Sequence, residues 1–448
     1  MFPHCPPYDW RSHGRSWPAR SYTQGVQIGV IGAGAAGLTA AYRLTQAGHR
    51  VTVFEAQPHV GGRTFSAHFA PGHHLDTGAG WLTSAYTQTL KLFEELGEKE
   101  RLRPLRASGP SELLVEGKSY IGAGLPRTLA GDHLIPGEER ERLRNWLHWL
   151  DGYPPLGYRT FNDHENARQH LESVSPAAER YLFAPMFEGL FAPLQEQSAE
   201  FLRSWIAASR ASYFQVDDGM DAPWKRIATN LDVRVNARVD MVRQGGSRLE
   251  VVANSMSMAF DGLVVAVPPP AGKQFVTRAI EPRWVAQLNY ETIAYSGQCR
   301  LYLAMPGDAP ARLHRRPLPM GPIASVEWQS GKDGAWGSCP PGWQWALICA
   351  SEAFNDRLID LPDFEISARL HRAATALVPE LPGLETWKVR HVVKWRNAVP
   401  VMAPGHFTRL ANYSRRPPIV FAGDWTHQAC VEGAVRSGEA AAEAFGPG

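Results

Sequence analysis

The segment GVIGAGAAGLTAAYRLTQAGHRVTVFE, Gly29 to Glu55, constrains the fold more than any other part of the chain. It predicts an apolar strand at Val26–Ile31, a glycine-rich turn, a helix over Ala35–Ala47 stopped by Gly48, and a second strand at Arg50–Phe54. Gly32, Gly34 and Gly37 form G-x-G-x-x-G between the first strand and the helix. The first glycine permits the tight turn, the second lets the backbone approach a pyrophosphate, and the third lets helix and sheet pack closely. The helix start at Ala35 and Ala36 offers unpaired N–H groups and the positive end of a dipole to phosphate. Glu55 ends the second strand, followed by Ala56, where a carboxylate accepts the two hydroxyls of an adenosine ribose. That acid repels a 2′-phosphate, so the pattern selects FAD or NAD over NADP. The predicted fold class is α/β: a Rossmann-like dinucleotide domain with an inserted substrate domain of mixed sheet and helices.

Further along, paired glycines and an arginine, Gly61, Gly62 and Arg63, suit a second wrap of the pyrophosphate. The stretch LDTGAGWLT follows. From about Pro104 to Phe214 helices are expected to dominate, at Pro136–Leu150, Asn162–Glu172, Pro176–Phe191 and Ala199–Ser209. The strands Val233–Val235, Leu249–Val252 and Gly262–Val267 read as the dinucleotide domain resuming, cut off by VPPP at Val267–Pro270. QCRLYLAM, WQWALICA and WKVRHVVKW read as later strands, Phe364–Leu377 as a helix, and RLHRRP as a solvated loop. The end of the chain is again strand, loop and helix. The expected division is a flexible arm at 1–25, a discontinuous FAD-binding domain at 26–105, 215–275 and 390–448, and a substrate domain at 106–214 and 276–389.

Composition narrows the function classes. A net charge of +2 on 448 residues gives no electrostatic footprint for nucleic acid. Five scattered cysteines without a CxxC pair fit neither a disulfide framework nor a zinc site, and favour a reducing, cytoplasmic setting. His73 and His74 are adjacent, and on a strand neighbours face opposite ways, so no metal site is expected there. No apolar run reaches the length of a membrane span.

Taken as an ordered set, GVIGAGAAGLTAAYRL, VTVFEAQPHVGGRT, LDTGAGWL, VRVNARVDMV, LVVAVPP and IVFAGDWT…VEGAVRSGEAAA are similar to the flavin-containing amine oxidase superfamily. That group includes protoporphyrinogen oxidases and phytoene-type desaturases, and the closing motif looks most like the desaturase branch. The resemblance runs from Val26 to the C-terminus and implies FAD. It implies that Asp424, after Gly423, bonds the ribityl chain or pyrophosphate. Val431, Glu432 and Ala434 would start a helix whose N–H groups face the flavin, stabilising negative charge there. Val239 would contact adenine through its backbone, Val267 and Gly80 would line the cofactor, and Trp81 and Trp395 would lie near the isoalloxazine.

Three departures from the amine oxidases bear on chemistry. Those enzymes usually carry a lysine on a central strand, where this chain aligns Gln298. They often flank the amine path with two aromatics, where Ala398 and Cys430 stand here. Members with covalent FAD use a cysteine near the first aromatic, where this chain has Asn397, so non-covalent FAD is expected. The catalytic candidates are therefore Gln298, Trp395 and Cys430. The expected activity is hydride removal from carbon of an apolar or cyclic small molecule, with oxygen or another acceptor reoxidising the flavin. An amine or amino-acid oxidase is the alternative.

Overall fold

The structure is a computed structural model that describes residues 25–105, 111–121, 134–159, 163–190, 192–279, 290–309, 313–330 and 337–447. All but the last residue of the expected N-terminal arm lie outside the described residues.

The opening segment folds as its periodicity predicts. Strands Gln27–Ile31 and Arg50–Phe54 flank helix Ala35–Gln46. They join a five-stranded parallel sheet in the order Asp232–Arg234, Arg50–Phe54, Gln27–Ile31, Gly262–Val265, Ile419–Phe421. Three distant stretches of chain thus build one sheet, and its central strand is buried and apolar from Ile28 to Ile31 because both faces are covered. Helix Val431–Glu443 packs on helix Ala35–Gln46, and a Cβ at Gly438 would stand 2.4 Å from the Ala36 carbonyl oxygen. This approach aligns two helix starts beside the ends of the parallel strands.

The remaining strands depart from the sequence reading in four places. Leu249–Val252 does not enter the parallel sheet. It lies within a separate antiparallel meander of Val239–Gly245, Arg248–Ala253 and Met256–Phe260. The helical insertion contains a hairpin, Ser111–Val115 with Lys118–Ile121, that extends a seven-stranded sheet. From Leu313 on, RLHRRP is no loop: Leu313–Leu318 is a strand, parallel to Ser111–Val115, while Arg312 lies outside the described residues. Finally, the boundary expected at 390 falls inside strand Val389–Pro400, which pairs along Tyr295–Pro306 in that same sheet. Charged alternation hides such strands, because only one face carries the apolar signal. The predicted helix Pro176–Phe191 is broken by a π-helical turn at Glu179–Phe183, just before Pro185, which has no N–H to continue the ladder.

The seven-stranded sheet sorts its side chains by parity. Cys299, Leu301, Leu303, Val326 and Ile348 pack against Ile366, Leu370 and Ala374 of helix Asp363–Leu377. Gln298, Arg300 and Tyr302 alternate with them along strand Tyr295–Pro306, so they occupy the opposite face. A second helical layer, 137–209, is held by Trp146, Phe183, Phe187 and Leu202. Among the described residues, no helix is long and apolar enough to cross a membrane.

Candidate active site

The dinucleotide end of the site is built by backbone. Gly32 adopts φ +103°, with its N–H on the Phe54 carbonyl at 2.8 Å. Val267 packs against Gly32, where a Cβ would lie 3.0 Å from its Cγ1. At Gly37 a Cβ would lie 1.9 Å from the Gly32 carbonyl oxygen, so only glycine fits. Glu55 is fixed by two N–H donors, from Ala33 and Gln57, each at 2.8 Å. A carboxylate has about four acceptor positions, so capacity for ribose hydroxyls remains. Residues 236–239 run beside it: Ala237 donates to the Glu55 carbonyl at 2.7 Å, and Ala56 sits between the two contacts. Val239 opens the meander strand there, buried and paired with Ala253.

The Gly61–Gly62 loop bridges to Gly34, and the Gly61 N–H donates to the Ala33 carbonyl at 2.8 Å. A Cβ on Gly34 would meet nothing nearer than Gly62 Cα at 3.9 Å. Two glycine loops therefore enclose open space at the start of helix Ala35–Gln46, where the N–H groups of Ala35, Ala36 and Gly37 have no intrahelical acceptor. This cradle, with Arg63 at its edge and Glu55 behind it, fits the pyrophosphate and adenosine of FAD.

Arg63 and Asp424, read separately in the sequence, form one ion pair. The guanidinium donates through Nη1 to Oδ2 at 2.6 Å and through Nη2 to Oδ1 at 2.8 Å. Nη1 also reaches the Ala398 carbonyl at 3.0 Å, and the Tyr295 hydroxyl lies 3.3 Å from Asp424 Oδ1. Burial alone would lower the Arg63 guanidinium, but Asp424 and Tyr295 more than reverse this, so it is a permanent cation. Gly423 precedes the pair, held by Ser437 Oγ at 2.8 Å.

Helix Val431–Glu443 starts immediately beyond. Cys430 is its N-cap, accepting at Sγ from the Gly433 N–H at 3.5 Å. Ala434 donates to the Cys430 carbonyl, while the first-turn N–H groups of Val431 and Glu432 have no intrahelical acceptor. The Glu432 side chain is turned away and fully buried against helix Thr87–Glu95, accepting from the N–H groups of Gln88 and Thr89. Only its backbone is available to a cofactor. The thiol of Cys430 is pushed up to about 12 by burial, which makes it a poor nucleophile. Iodoacetamide at pH 8 is therefore expected to leave Cys430 unmodified in the folded protein, as read by peptide mass spectrometry. Rapid alkylation there would overturn the assignment of a raised, capping thiol.

The sheet supplies the other wall. Gln298 and Trp395 are direct partners across strands Tyr295–Pro306 and Val389–Pro400. The register then shifts between Ser296 and Gln298, a bulge that re-aims Asn397 and Ala398. Trp395 Nε1 donates to the Thr77 carbonyl at 2.8 Å, pinning the 77–80 segment, whose Ala79 N–H donates to the Arg63 carbonyl. Gly80 is buried in that segment. Trp81 instead packs toward Tyr213, ring centroids 6.4 Å apart. Gln298 is buried, and with its amide oxygen turned to Arg300 it accepts from Nε and Nη2. His73, on its own short strand, lies 3.0 Å from the Tyr302 hydroxyl.

Two histidines flank Asp424 and respond to acid. His406 donates from Nε2 to the Trp425 carbonyl at 2.8 Å, and burial lowers its pKa to about 4. His427 is lowered to about 4 by burial, with Arg436 and Arg415 nearby. Both are neutral in the fold, whereas an unfolded histidine titrates near 6.5. The unfolded chain binds more protons between these values, so stability is complete above about pH 6.5 and falls as pH drops toward 4. For His406 alone the loss approaches roughly 3 kcal/mol. The temperature at which flavin fluorescence is released is expected to fall between pH 7 and pH 5. An unchanged release temperature would contradict the neutral assignment.

The chain matches the family described as flavin containing amine oxidoreductase over residues 35–445. Zeta-carotene desaturase from Synechocystis is 33% identical over 78 residues, 17% of this chain and 16% of that protein. Putrescine oxidase from Kocuria rosea is 47% identical over 68 residues, 15% of this chain and 14% of that protein. The matched stretches thus span about a sixth of these curated relatives. The structure of cyclohexylamine oxidase from Brevibacterium oxydans superposes with a TM-score of 0.71 at 20% identity, covering 94% of this chain and 98% of that one.

Proposed function

Because the chain belongs to the flavin-containing amine oxidoreductase family and is an FAD-dependent oxidoreductase, we propose that it removes a hydride from carbon of an apolar or cyclic small molecule, as a desaturase or dehydrogenase does. When bound, FAD supplies a hydride acceptor that oxygen or another oxidant regenerates. The chain supplies position, electrostatics and exclusion of water. The Gly34 and Gly61–Gly62 loops receive the diphosphate, Glu55 the ribose, and the start of helix Val431–Glu443 the developing negative charge. Asn397 near the bulge supports non-covalent attachment. Free cysteines at 299, 339, 349 and 430 are in keeping with a reducing, cytoplasmic setting.

One observation supports the choice of substrate carbon: Gln298, which the motif resemblance aligns with the lysine of amine oxidases, turns its amide oxygen to the Arg300 guanidinium. A lysine ammonium there would face a buried cation. Ala398 and Cys430 likewise leave no aromatic pair to guide a neutral amine.

The test is anaerobic bleaching of the yellow holoprotein by one substrate class at a time: polyenes and terpenoids, porphyrinogens, cyclic alkaloid-like compounds, and primary and secondary amines. Bleaching by a carbon-centred class with amines inert is the expected result. Fast bleaching by amines would replace this reading with the amine or amino-acid oxidase, and a flavin that no class reduces would overturn both.

A further inference from the structure

The glycine-arginine loop is held from behind by a residue outside every sequence motif. In front, Gly61 and Gly62 face Ala33 and Gly34 across the cradle. Behind, a Cβ on Gly61 would stand 3.3 Å from the Cβ of Asp221, so the loop leans on that side chain. Asp221 begins helix Ala222–Ala228, a position from which an aspartate ordinarily caps its own helix. It makes no such bond here. Pro223 lacks one of the N–H groups that a cap would serve, and the carboxylate is turned to the loop instead. Its Oδ2 accepts from the Ser66 N–H at 3.2 Å, two residues past the Gly62–Thr64 turn.

The Asp221 side chain is fully enclosed, and its charge is balanced. Lys225, one helical turn on and half-exposed, lies with Nζ 2.8 Å from the same Oδ2, so the carboxylate adds no net charge beside an anionic diphosphate. His68 Nε2 lies 3.7 Å from Oδ1, the oxygen without a hydrogen-bond partner among the described residues. Ser66 is gripped from its other side as well. Its hydroxyl donates to Asp76 Oδ1 at 2.6 Å, and the Met220 N–H donates to that oxygen at 3.0 Å. A Cβ on Gly219 would stand 2.5 Å from Ser66 Oγ, so residues 219–221 wrap the serine closely. Within the turn, the Thr64 N–H and Oγ1 both donate to the Gly61 carbonyl, which couples its two ends. One carboxylate thus fixes both ends, Gly61 by contact and Ser66 by hydrogen bond.

We propose that Asp221 is a positioning residue for FAD, one that sets the Gly61–Arg63 turn at the spacing from Gly34 that receives the diphosphate. An ionised carboxylate suits the task because it only accepts, and both groups aimed at its Oδ2 are donors. An asparagine there would turn an N–H₂ toward one of those donors or toward His68. The flavin-ring end of the site is held separately, by Trp395 and the start of helix Val431–Glu443, so a change at Asp221 is read first at the phosphates. This inference rests on the reading above that the diphosphate lies between the two glycine loops.

The test needs no turnover. Phosphorus NMR of the oxidised holoprotein reads the diphosphate directly, and the rise in flavin fluorescence on dilution gives the rate of FAD release. Asp221→Asn keeps the shape of the side chain and removes its charge. It is expected to shift the bound diphosphate resonances and to leave the visible flavin bands in place. FAD release is expected to quicken on the order of tenfold to a hundredfold, the worth of a hydrogen bond to a charged group. Lys225→Gln, at a half-exposed position away from the loop, is expected to move both readouts the same way by less, and it decides the matter if Asp221→Asn does not fold. Wild-type phosphorus resonances in the variants, or an unchanged release rate in Asp221→Asn, would overturn the proposal. Faster release with unmoved resonances would overturn it too, since a general loss of stability produces that pattern. Wild-type resonances that coincide with those of free FAD would remove the diphosphate from the glycine loops, and the proposal with it.

Discussion

Asp424→Ala is expected to purify nearly colourless, with under about a tenth of the wild-type flavin, read as the ratio of flavin to protein absorbance. Asp424 is 6% exposed and closes a two-point fork with Arg63. Removing it leaves a guanidinium, its side chain 27% exposed, whose other fixed acceptor is the Ala398 carbonyl. Breaking a buried pair from one side typically costs about 3–5 kcal/mol, and the solvent access of Arg63 places this pair at or below the lower end of that range. Here the cost falls on the joint between the 61–64 loop, the 77–80 segment, Tyr295 and the loop before helix Val431–Glu443. Asp424→Asn keeps one acceptor oxygen and is expected to retain an intermediate amount of FAD. Wild-type flavin content in Asp424→Ala would show that the pair does not organise the cofactor cleft.

That pair also marks where reading the sequence stops. The dinucleotide half was legible because its constraints are local. Gly32 is required by its positive φ and Gly37 by the Gly32 carbonyl five residues back, and Arg50–Phe54 matches its predicted bounds because alternation and a flanking glycine define it. The glycine-arginine loop and the final helix were legible by motif. The link between them was not, since Arg63 and Asp424 are 361 residues apart and nothing in one dimension signals their fork. Strand Leu313–Leu318 was missed for a different reason. Its alternate residues serve an ion pair on one face and an enclosed guanidinium on the other, so it lacks the apolar period that announces a strand.

Glu432 shows the same limit at a single side chain and leads to the second large effect. By motif it belongs to the helix start that faces the flavin. Its carboxylate instead reaches a different helix, Thr87–Glu95, which has no side-chain cap of its own. It accepts from Gln88 N–H at 3.0 Å, Thr89 N–H at 2.9 Å and Thr89 Oγ1 at 2.8 Å, and from Arg436 Nε at 2.7 Å. An anion at a helix start satisfies orphan N–H groups and the positive dipole end together. Glu432→Ala strands the two donors of buried Thr89 and weakens those of partly exposed Gln88 and Arg436, at about 1–3 kcal/mol for each that cannot re-pair. Re-pairing of Arg436 with solvent leaves an expected loss of roughly 3–5 kcal/mol. Glu432→Gln keeps one acceptor but turns an amide N–H₂ toward donors, so it should recover less than half of that. Two readouts separate this cap from a direct cofactor contact. Hydrogen exchange at residues 88 and 89 should accelerate in both variants, and chemical denaturation should shift with it. A variant that lost FAD affinity with exchange at 88–89 and denaturation unchanged would return the Glu432 side chain to the cofactor.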